Sequence, residues 1–257
     1  MLWTIIRNMT RNAVRQPEVA AQDAVLKTGI DCFNAGDFAA ACRHLSVVLA
    51  AAPDDIEAMY HLALAEARSG RLERAEELLE AVLERRQDAD VHNALGNIHR
   101  LGGRLTDAVA SYRRALALNG DHIAALTNLG LSLRDQGVPG EALPVLDRAL
   151  ALAPDYVEAL FNKALALIDT GEIEPASALI ERALVLEPDF AQAHLQRGFL
   201  LLRRGGFAAG WREYAWRVRI PDLDRWQDYP YPLWQGETLA GRRVLVQAEQ
   251  GLGDQIM

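Results

Sequence analysis

Apolar residues return at helical intervals along most of the chain, in stripes that Gly or Pro residues interrupt at regular distances. In residues 123–156, Leu126, Leu129 and Leu133 form one stripe, and Gly137 ends it. A second stripe consists of Ala142, Val145, Leu146 and Ala149. A spacing of three or four residues places side chains on one face of an α-helix. The pattern therefore predicts a hairpin of two amphipathic helices.

Small residues mark a repeat with a period of 34 residues. One series is Gly96, Gly130, Ala164 and Gly198, and a second is Ala108, Ala142, Ala176 and Gly210. Both series extend toward the N-terminus, through Ala63 and Gly29 and through Ala75 and Ala41, with a single spacing of 33 between Ala75 and Ala108. Small side chains let two helices approach closely. The repeat predicts six hairpins, which begin near Gln22, Ile56, Ala89, Ile123, Val157 and Ala191.

The recurring arrangement resembles the tetratricopeptide repeat. It is carried by Leu129–Gly130, Gly137, Ala142, Leu146, Ala149 and Pro154, and the resemblance covers residues 22–217. Since a single hairpin cannot bury its own apolar stripe, the resemblance implies an all-α, right-handed α-solenoid of about six stacked hairpins. Gln87 and Gly120 depart from the family pattern at the closing Pro, and Lys163 departs from it before Ala164. Pro144 falls inside a second helix, where we expect a local kink.

Amide side chains recur on the first helices, which line the ligand groove in proteins of the family that the chain resembles. Asn128, Asn162 and Gln196 occupy equivalent positions in consecutive units, and Asn93 and Asn97 lie in the third unit. A primary amide offers donors and an acceptor, which suits the backbone of an extended peptide. A similar ladder is found in the repeat domain of O-GlcNAc transferases. We predict that these five residues bind peptide; the alternative is that they solvate the groove or cap neighbouring turns.

Charge narrows the class of partner. The chain has 27 Lys and Arg against 35 Asp and Glu, a net of −8, so it offers no general basic surface to nucleic acid. The predicted partner is a protein or peptide. Some family members clamp a terminal carboxylate with cations and Asn in adjacent first helices, but here only Lys27 and Asn97 approach that pattern, two units apart. Asp135, Asp169 and Glu158 suggest either a preference for basic partners or a solvated acidic face.

The sequence predicts neither a metal site nor a cofactor. His92 and His99 are seven residues apart, whereas metal-binding pairs on a helix stand four apart, so we expect structural histidines. Cys32 and Cys42 are expected on the two helices of the first unit, either as packing residues or as an oxidisable pair. Two cysteines do not build a secreted disulfide scaffold. No apolar run approaches the roughly 20 residues of a membrane span, so we predict a cytoplasmic protein without one.

Both ends differ in composition from the repeats. Residues 1–21 form a basic segment with Arg7, Arg11 and Arg15, which we expect to be a capping helix or a surface for an acidic partner or a membrane. Residues 218–242 form a connector that is rich in Trp and Pro. We expect its aromatic side chains to seal the end of the repeat stack or to form a platform for a sugar.

Residues 243–257 predict the first strand of a truncated α/β domain, followed by the Gly-rich turn Glu249–Asp254. The string Gly210–Trp211, Tyr214, Trp216–Arg217, Pro232, Trp234, Gly236–Glu237, Leu239, Gly241 and Glu249–Asp254 resembles bacterial proteins in which these repeats precede a GT-B glycosyltransferase. That domain is heptosyltransferase-like and O-GlcNAc-transferase-like. The resemblance implies sugar transfer from a nucleotide sugar in a parent protein, with Asp254 as the candidate base.

Two functions therefore remain open at this point. The first is a peptide-binding scaffold, the substrate-recruiting region of a larger bacterial protein. The alternative is a fragment of a repeat-containing glycosyltransferase. Because a GT-B enzyme needs two Rossmann-like halves, no complete catalytic domain is predicted within the 257 residues.

Overall fold

The computed structural model describes residues 22–220, and this part of the chain is helical without a strand. The helices are α1 (22–34), α2 (Phe38–Ala51), α3 (Ile56–Arg68), α4 (Leu72–Arg85), α5 (Ala89–Leu101), α6 (Leu105–Leu118), α7 (Ile123–Asp135), α8 (Pro139–Leu152), α9 (Val157–Thr170), α10 (Ile173–Leu186), α11 (Ala191–Arg203) and α12 (Phe207–Tyr214), followed by the 3-10 helix Ala215–Arg219. The predicted all-α class is confirmed. The predicted basic segment, the strand and Asp254 lie outside the described residues, as does the connector beyond Ile220.

The helix boundaries follow the repeat in the sequence. The first helices of the second to sixth hairpins begin at Ile56, Ala89, Ile123, Val157 and Ala191, the residues at which the repeat predicts them. A glycine in the left-handed region joins the two helices of each hairpin, with φ of +82° at Gly137 and +89° at Gly171. A Cβ atom is disfavoured in that region, so glycine ends the first helix and turns the chain into the second.

Small residues bring the two helices of a hairpin together. A Cβ atom on Gly130 would lie 2.5 Å from Cγ of Leu146, and a Cβ on Gly96 would lie 2.5 Å from Cε1 of Tyr112. Ala142, in the second helix of its hairpin, is fully buried. The structure thus confirms that these positions are small because the facing helix occupies the space.

The described chain divides between Ala176 and Ser177, inside α10, into two compact units. In the first unit, each second helix packs on the first helix of the following hairpin: α2 on α3, α4 on α5, α6 on α7 and α8 on α9. In the second unit, α11 packs on α12 and on the 3-10 helix. There Ile220 forms a small apolar cluster with Ala191 and Leu195.

The second hairpin has the single spacing of 33 residues, and the connection that follows it is one residue shorter than the connection after the first hairpin. Three residues separate α4 from α5, whereas four separate α2 from α3. In the shorter connection, the Asp88 carboxylate accepts hydrogen bonds from the backbone N–H groups of Asp90 and Val91. In the longer one, Asp55 accepts a bond from the N–H of Ala58 at 3.0 Å. Both connections therefore cap the next helix.

The helix α8 continues through Pro144 to Leu152. Pro139 stands at its first turn, where the missing N–H group is not needed. Pro144 removes the helical partner of the Gly140 carbonyl, but Gly140 is exposed, so water can serve that group. The local kink at Pro144 stays a prediction.

Candidate functional site

The first helices of the first unit form a continuous packed row, because α3 contacts α5, α5 contacts α7 and α7 contacts α9. Four of the predicted peptide-binding residues lie on three of these helices. Asn93 and Asn97 are on α5, Asn128 is on α7 and Asn162 is on α9. Gln196 is on α11 in the second unit, so its place in the ladder stays a prediction.

A direct hydrogen bond links the amides of two neighbouring hairpins. Nδ2 of Asn128 donates to Oδ1 of Asn93 at 3.0 Å. One helical turn further along α5, Oδ1 of Asn97 accepts a hydrogen bond of 2.8 Å from the hydroxyl of Tyr112. Residues four apart lie on one face of a helix, so Asn93 and Asn97 point to the same side of α5. We call these three asparagines, Asn93, Asn97 and Asn128, the amide row.

The internal bonds determine what the amide row can offer to a ligand. The carbonyl oxygens of Asn93 and Asn97 each accept an intramolecular bond. Their N–H groups are therefore the groups best placed to bind a ligand. Asn128 gives one N–H to Asn93 and keeps its carbonyl oxygen as an acceptor. The amide row is thus richer in donors than in acceptors, a property that matches the carbonyl oxygens of an extended peptide.

Tyr112, on the second helix of the same hairpin, holds the side chain of Asn97 through a hydrogen bond. Its side chain is fully buried on α6 and packs against Gly96. Burial raises the pKa of Tyr112 to about 12, although the nearby Arg100 guanidinium and Ser132 hydroxyl oppose the rise. The hydroxyl consequently stays protonated at neutral pH and holds the Asn97 carbonyl. Sequence reasoning missed Tyr112; the available signal was a large aromatic residue sixteen positions after the glycine of a first helix.

The four asparagines are not equally accessible. Asn93, Asn97 and Asn128 are half-buried, whereas only 8% of Asn162 is exposed. A ligand lying over α5 and α7 would therefore reach three amides, and Asn162 contributes less surface than its equivalent position predicts. The candidate site is centred on α5 and α7.

Two of the three acidic residues predicted to favour basic partners lie beside one arginine. Nε of Arg134 lies 2.6 Å from the carboxylate of Asp169, and the same guanidinium is 3.5 Å from Asp135. Nε2 of His122 lies 3.0 Å from Asp90. Arg134 therefore partly neutralises Asp135 and Asp169, whereas Glu158 is exposed and forms no ion pair within the described residues.

The two histidines of α5 have structural hydrogen bonds. His99 contacts the Ser111 hydroxyl through Nδ1 and Glu76 through Nε2, both at 3.1 Å. Arg104 also bonds Glu76, so this cluster ties α4 to the following hairpin. Nε2 of His92 lies 3.0 Å from the Gln87 amide oxygen. Burial lowers the pKa of His92. Across residues 22–220, no group of three side chains could hold a metal ion.

The cysteines are free thiols. Cys42 is buried, and Arg71 donates a hydrogen bond of 3.3 Å to its Sγ. Burial raises the pKa of the Cys42 thiol, which disfavours the reactive thiolate form. The environment of Cys42 fits the packing role among the two that the sequence left open.

In the second unit, the aromatic residues near the end of the repeats pack on its own helices. The Trp216 ring stacks on His194 with ring centres 3.7 Å apart, and His194 bonds Glu213 at 2.6 Å. Burial alone would raise the pKa of Glu213, but hydrogen bonds from His194 and Arg197 outweigh burial and lower it. Trp216, in the described part of the glycosyltransferase-like string, therefore has a packing role, whereas Trp211 in the same string is exposed. Its remainder, including Asp254, lies beyond the described residues and stays a prediction.

The comparisons with known proteins now fix the family. A family model described as tetratricopeptide repeat matches residues 33–98 and 133–197, more than half of the chain, and a second, described as TPR repeat, matches residues 96–137. The chain belongs to the tetratricopeptide repeat family. Protein FlbA of Caulobacter vibrioides is 38% identical to this repeat protein over 63 residues, which are 24% of the chain. The match spans only 10% of the length of FlbA.

Solved repeat proteins share the fold. TTC0263 from Thermus thermophilus matches 70% of this repeat protein and 99% of its own chain, with a TM-score of 0.60 and 23% identity. The pilF protein of Pseudomonas aeruginosa matches 79% of the chain and 91% of its own, with a TM-score of 0.65 and 19% identity. YrrB, described as a TPR protein with an unusual peptide-binding site, matches 66% of the chain and 88% of its own, with a TM-score of 0.52 and 18% identity. None of the helices in residues 22–220 is long and apolar enough to cross a membrane.

Proposed function

We propose that this repeat protein binds an extended peptide segment of a partner protein over α5 and α7. The amide row would bond the peptide backbone, which makes recognition tolerant of the peptide's side chains. The observation that carries the proposal is the hydrogen bond between Asn128 and Asn93, since it aligns amides from two hairpins on one face.

Two further observations support the proposal. The amides of Asn93 and Asn97 are held by Asn128 and Tyr112 before any ligand arrives. A side chain that is already ordered loses less conformational entropy when it binds. YrrB, a solved protein of the same repeat family with an unusual peptide-binding site, gives the proposal a precedent.

The test removes two of the three members of the amide row and measures binding of short random-sequence peptides, blocked at both ends and labelled with a fluorophore. We expect Asn93→Ala combined with Asn128→Ala to lower peptide affinity by about tenfold or more, because at least two backbone hydrogen bonds are lost. The melting temperature should change little, since both side chains are half-buried and the pair is removed together.

A matched control removes an amide elsewhere. Asn34 is exposed at the end of α1, so Asn34→Ala should leave both affinity and melting temperature unchanged. If the double variant binds the peptides as tightly as the unaltered protein, the amides serve only to solvate the surface and the proposal is wrong.

A further inference from the structure

The last hairpin presents an exposed group of aromatic side chains. Phe207 and Trp211 lie one helical turn apart on α12 and are 64% and 45% exposed. The Tyr214 ring connects them to α11, because its centre lies 5.4 Å from the Trp211 ring and 5.6 Å from the ring of Phe199, which is 46% exposed. We call Phe199, Phe207, Trp211 and Tyr214 the aromatic face. Exposed apolar surface of this kind marks an interaction site.

The same position is covered in an earlier hairpin. Val109 on α6 occupies the repeat position of Trp211, and it is only 5% exposed. It belongs to one apolar cluster with Leu129 and Leu133 of α7, the first helix of the following hairpin. Within residues 22–220, no hairpin follows α12. The aromatic face therefore corresponds to a surface on which the repeat normally packs its next element.

The chain beyond Ile220 begins next to this surface. Ile220 is buried and packs against Ala191 and Leu195 of α11, in the same compact unit. The next fourteen residues, 221–234, are rich in aromatic residues and proline: Pro221, Trp226, Tyr229, Pro230, Tyr231, Pro232 and Trp234. Proline lacks the N–H group that a further repeat helix would need, whereas proline-rich segments bind to surfaces lined by aromatic rings. The composition of residues 221–234 thus matches the aromatic face.

Charge favours the same pairing. Arg203 is exposed one helical turn beyond Phe199 on α11. The Arg217 guanidinium lies over the Tyr214 ring, 4.6 Å from its centre. Residues 221–234 carry one cation, Arg225, and three acidic residues, Asp222, Asp224 and Asp228. An acidic segment and a surface edged by arginines attract each other.

We propose that residues 221–234 fold back and cover the aromatic face of α11 and α12. The segment would take the place that the first helix of the next hairpin has elsewhere. A second copy of the chain or a partner protein would have to compete with a segment that is tethered at Ile220, and a short tether gives an effective concentration in the millimolar range. Of the two roles that the sequence left open for the connector, this is the seal. The proposal is independent of the peptide site on α5 and α7.

The test is limited digestion of the whole chain with trypsin, followed by mass spectrometry of the product that is cut after Arg225. A docked segment is cut only while it is detached, so the cleavage rate follows the detached fraction. We expect Trp211→Ala and Trp234→Ala each to accelerate this cleavage about tenfold, because each removes a large aromatic contact. The combined variant should be cut no faster than either single variant, since both changes remove the same docked state.

Two comparisons separate docking from a loosened helix. Trp234→Ala changes nothing within residues 22–220, so acceleration in that variant does not come from damage to α12. The matched control is Val185→Ala, which removes an apolar side chain of α10 that is 79% exposed in the same unit. That variant should be cut as slowly as the unaltered protein.

Three results would overturn the inference. If the unaltered protein is cut after Arg225 as fast as a synthetic peptide of residues 221–236, the segment is not docked. If Val185→Ala accelerates cleavage as much as Trp234→Ala does, the protection does not come from the aromatic face. If protection increases with protein concentration and light scattering shows a dimer, a second copy covers the face instead.

Discussion

Replacement of Gly96 by Ala tests the contact that holds the third hairpin together. The new Cβ would lie 2.5 Å from Cε1 and 2.7 Å from Cδ1 of Tyr112. Carbon atoms that are not bonded prefer separations of about 3.5–4.0 Å, so the ring or the helix must retreat by roughly 1 Å. The ring has little room to move, because Tyr112 is fully buried and its hydroxyl holds Asn97.

The magnitude follows from two opposing effects. Overpacking of a filled core costs about 1–3 kcal/mol. Ala is a better helix former than Gly, which returns about 1 kcal/mol. We therefore expect Gly96→Ala to lower the free energy of unfolding by up to about 2 kcal/mol. It should also weaken peptide binding, since displacement of Tyr112 moves the Asn97 amide.

The measurement is urea denaturation followed by circular dichroism, with Gly140→Ala as the control. A Cβ on Gly140 has no atom within 4 Å, and the residue lies in the first turn of α8, so the same substitution there should be neutral or slightly stabilising. If Gly96→Ala is as stable as Gly140→Ala, the hairpin is not packed as tightly as the structure implies and the reasoning fails.

Three further predictions concern titration and ring stacking. The Tyr112 pKa is raised to about 12, so its contribution to stability is present below its ordinary value of about 10 and is lost between there and about 12; thermal melts across that range should show a smaller loss for Tyr112→Phe. Hydrogen bonding to Arg104 lowers the pKa of Glu76, so its stabilisation is present above the ordinary carboxyl range and is lost as pH falls through the lowered value. Glu76→Gln should therefore lose about 1–2 kcal/mol at neutral pH and show a weaker dependence on acid in urea titrations. Trp216→Ala should lower the melting temperature through lost stacking on His194, and an unchanged value would contradict a packing role.

The fold could be predicted from the sequence because its determinants are local and periodic. The small residue at Gly130 and the turn at Gly137 recur at the repeat spacing, and each constrains residues within its own hairpin. Helix starts such as Ile123 and Val157 follow from the same spacing. The amides of Asn93 and Asn128 could be proposed from their repeat positions.

The chemistry around the amide row could not be predicted in the same way. The partnership of Asn97 with Tyr112 joins the two helices of a hairpin through side chains whose directions a periodic pattern does not define. Likewise, the repeat position of Asn162 gave no indication that its side chain is more buried than those of the amide row. Such features follow from distances between elements, which the repeat spacing leaves open.

The three-residue connection between α4 and α5 shows where evolution can shorten this chain without loss of register. A residue deleted between Asn93 and Asn97 would rotate every later side chain of α5 by about 100° around its axis, because an α-helix has 3.6 residues per turn. Asn97 would then leave the helix face that carries Asn93. A deletion between the hairpins keeps both on one face. Natural variation in length among such repeats should therefore accumulate in the connections, and a designer who wishes to re-space the hairpins should cut there.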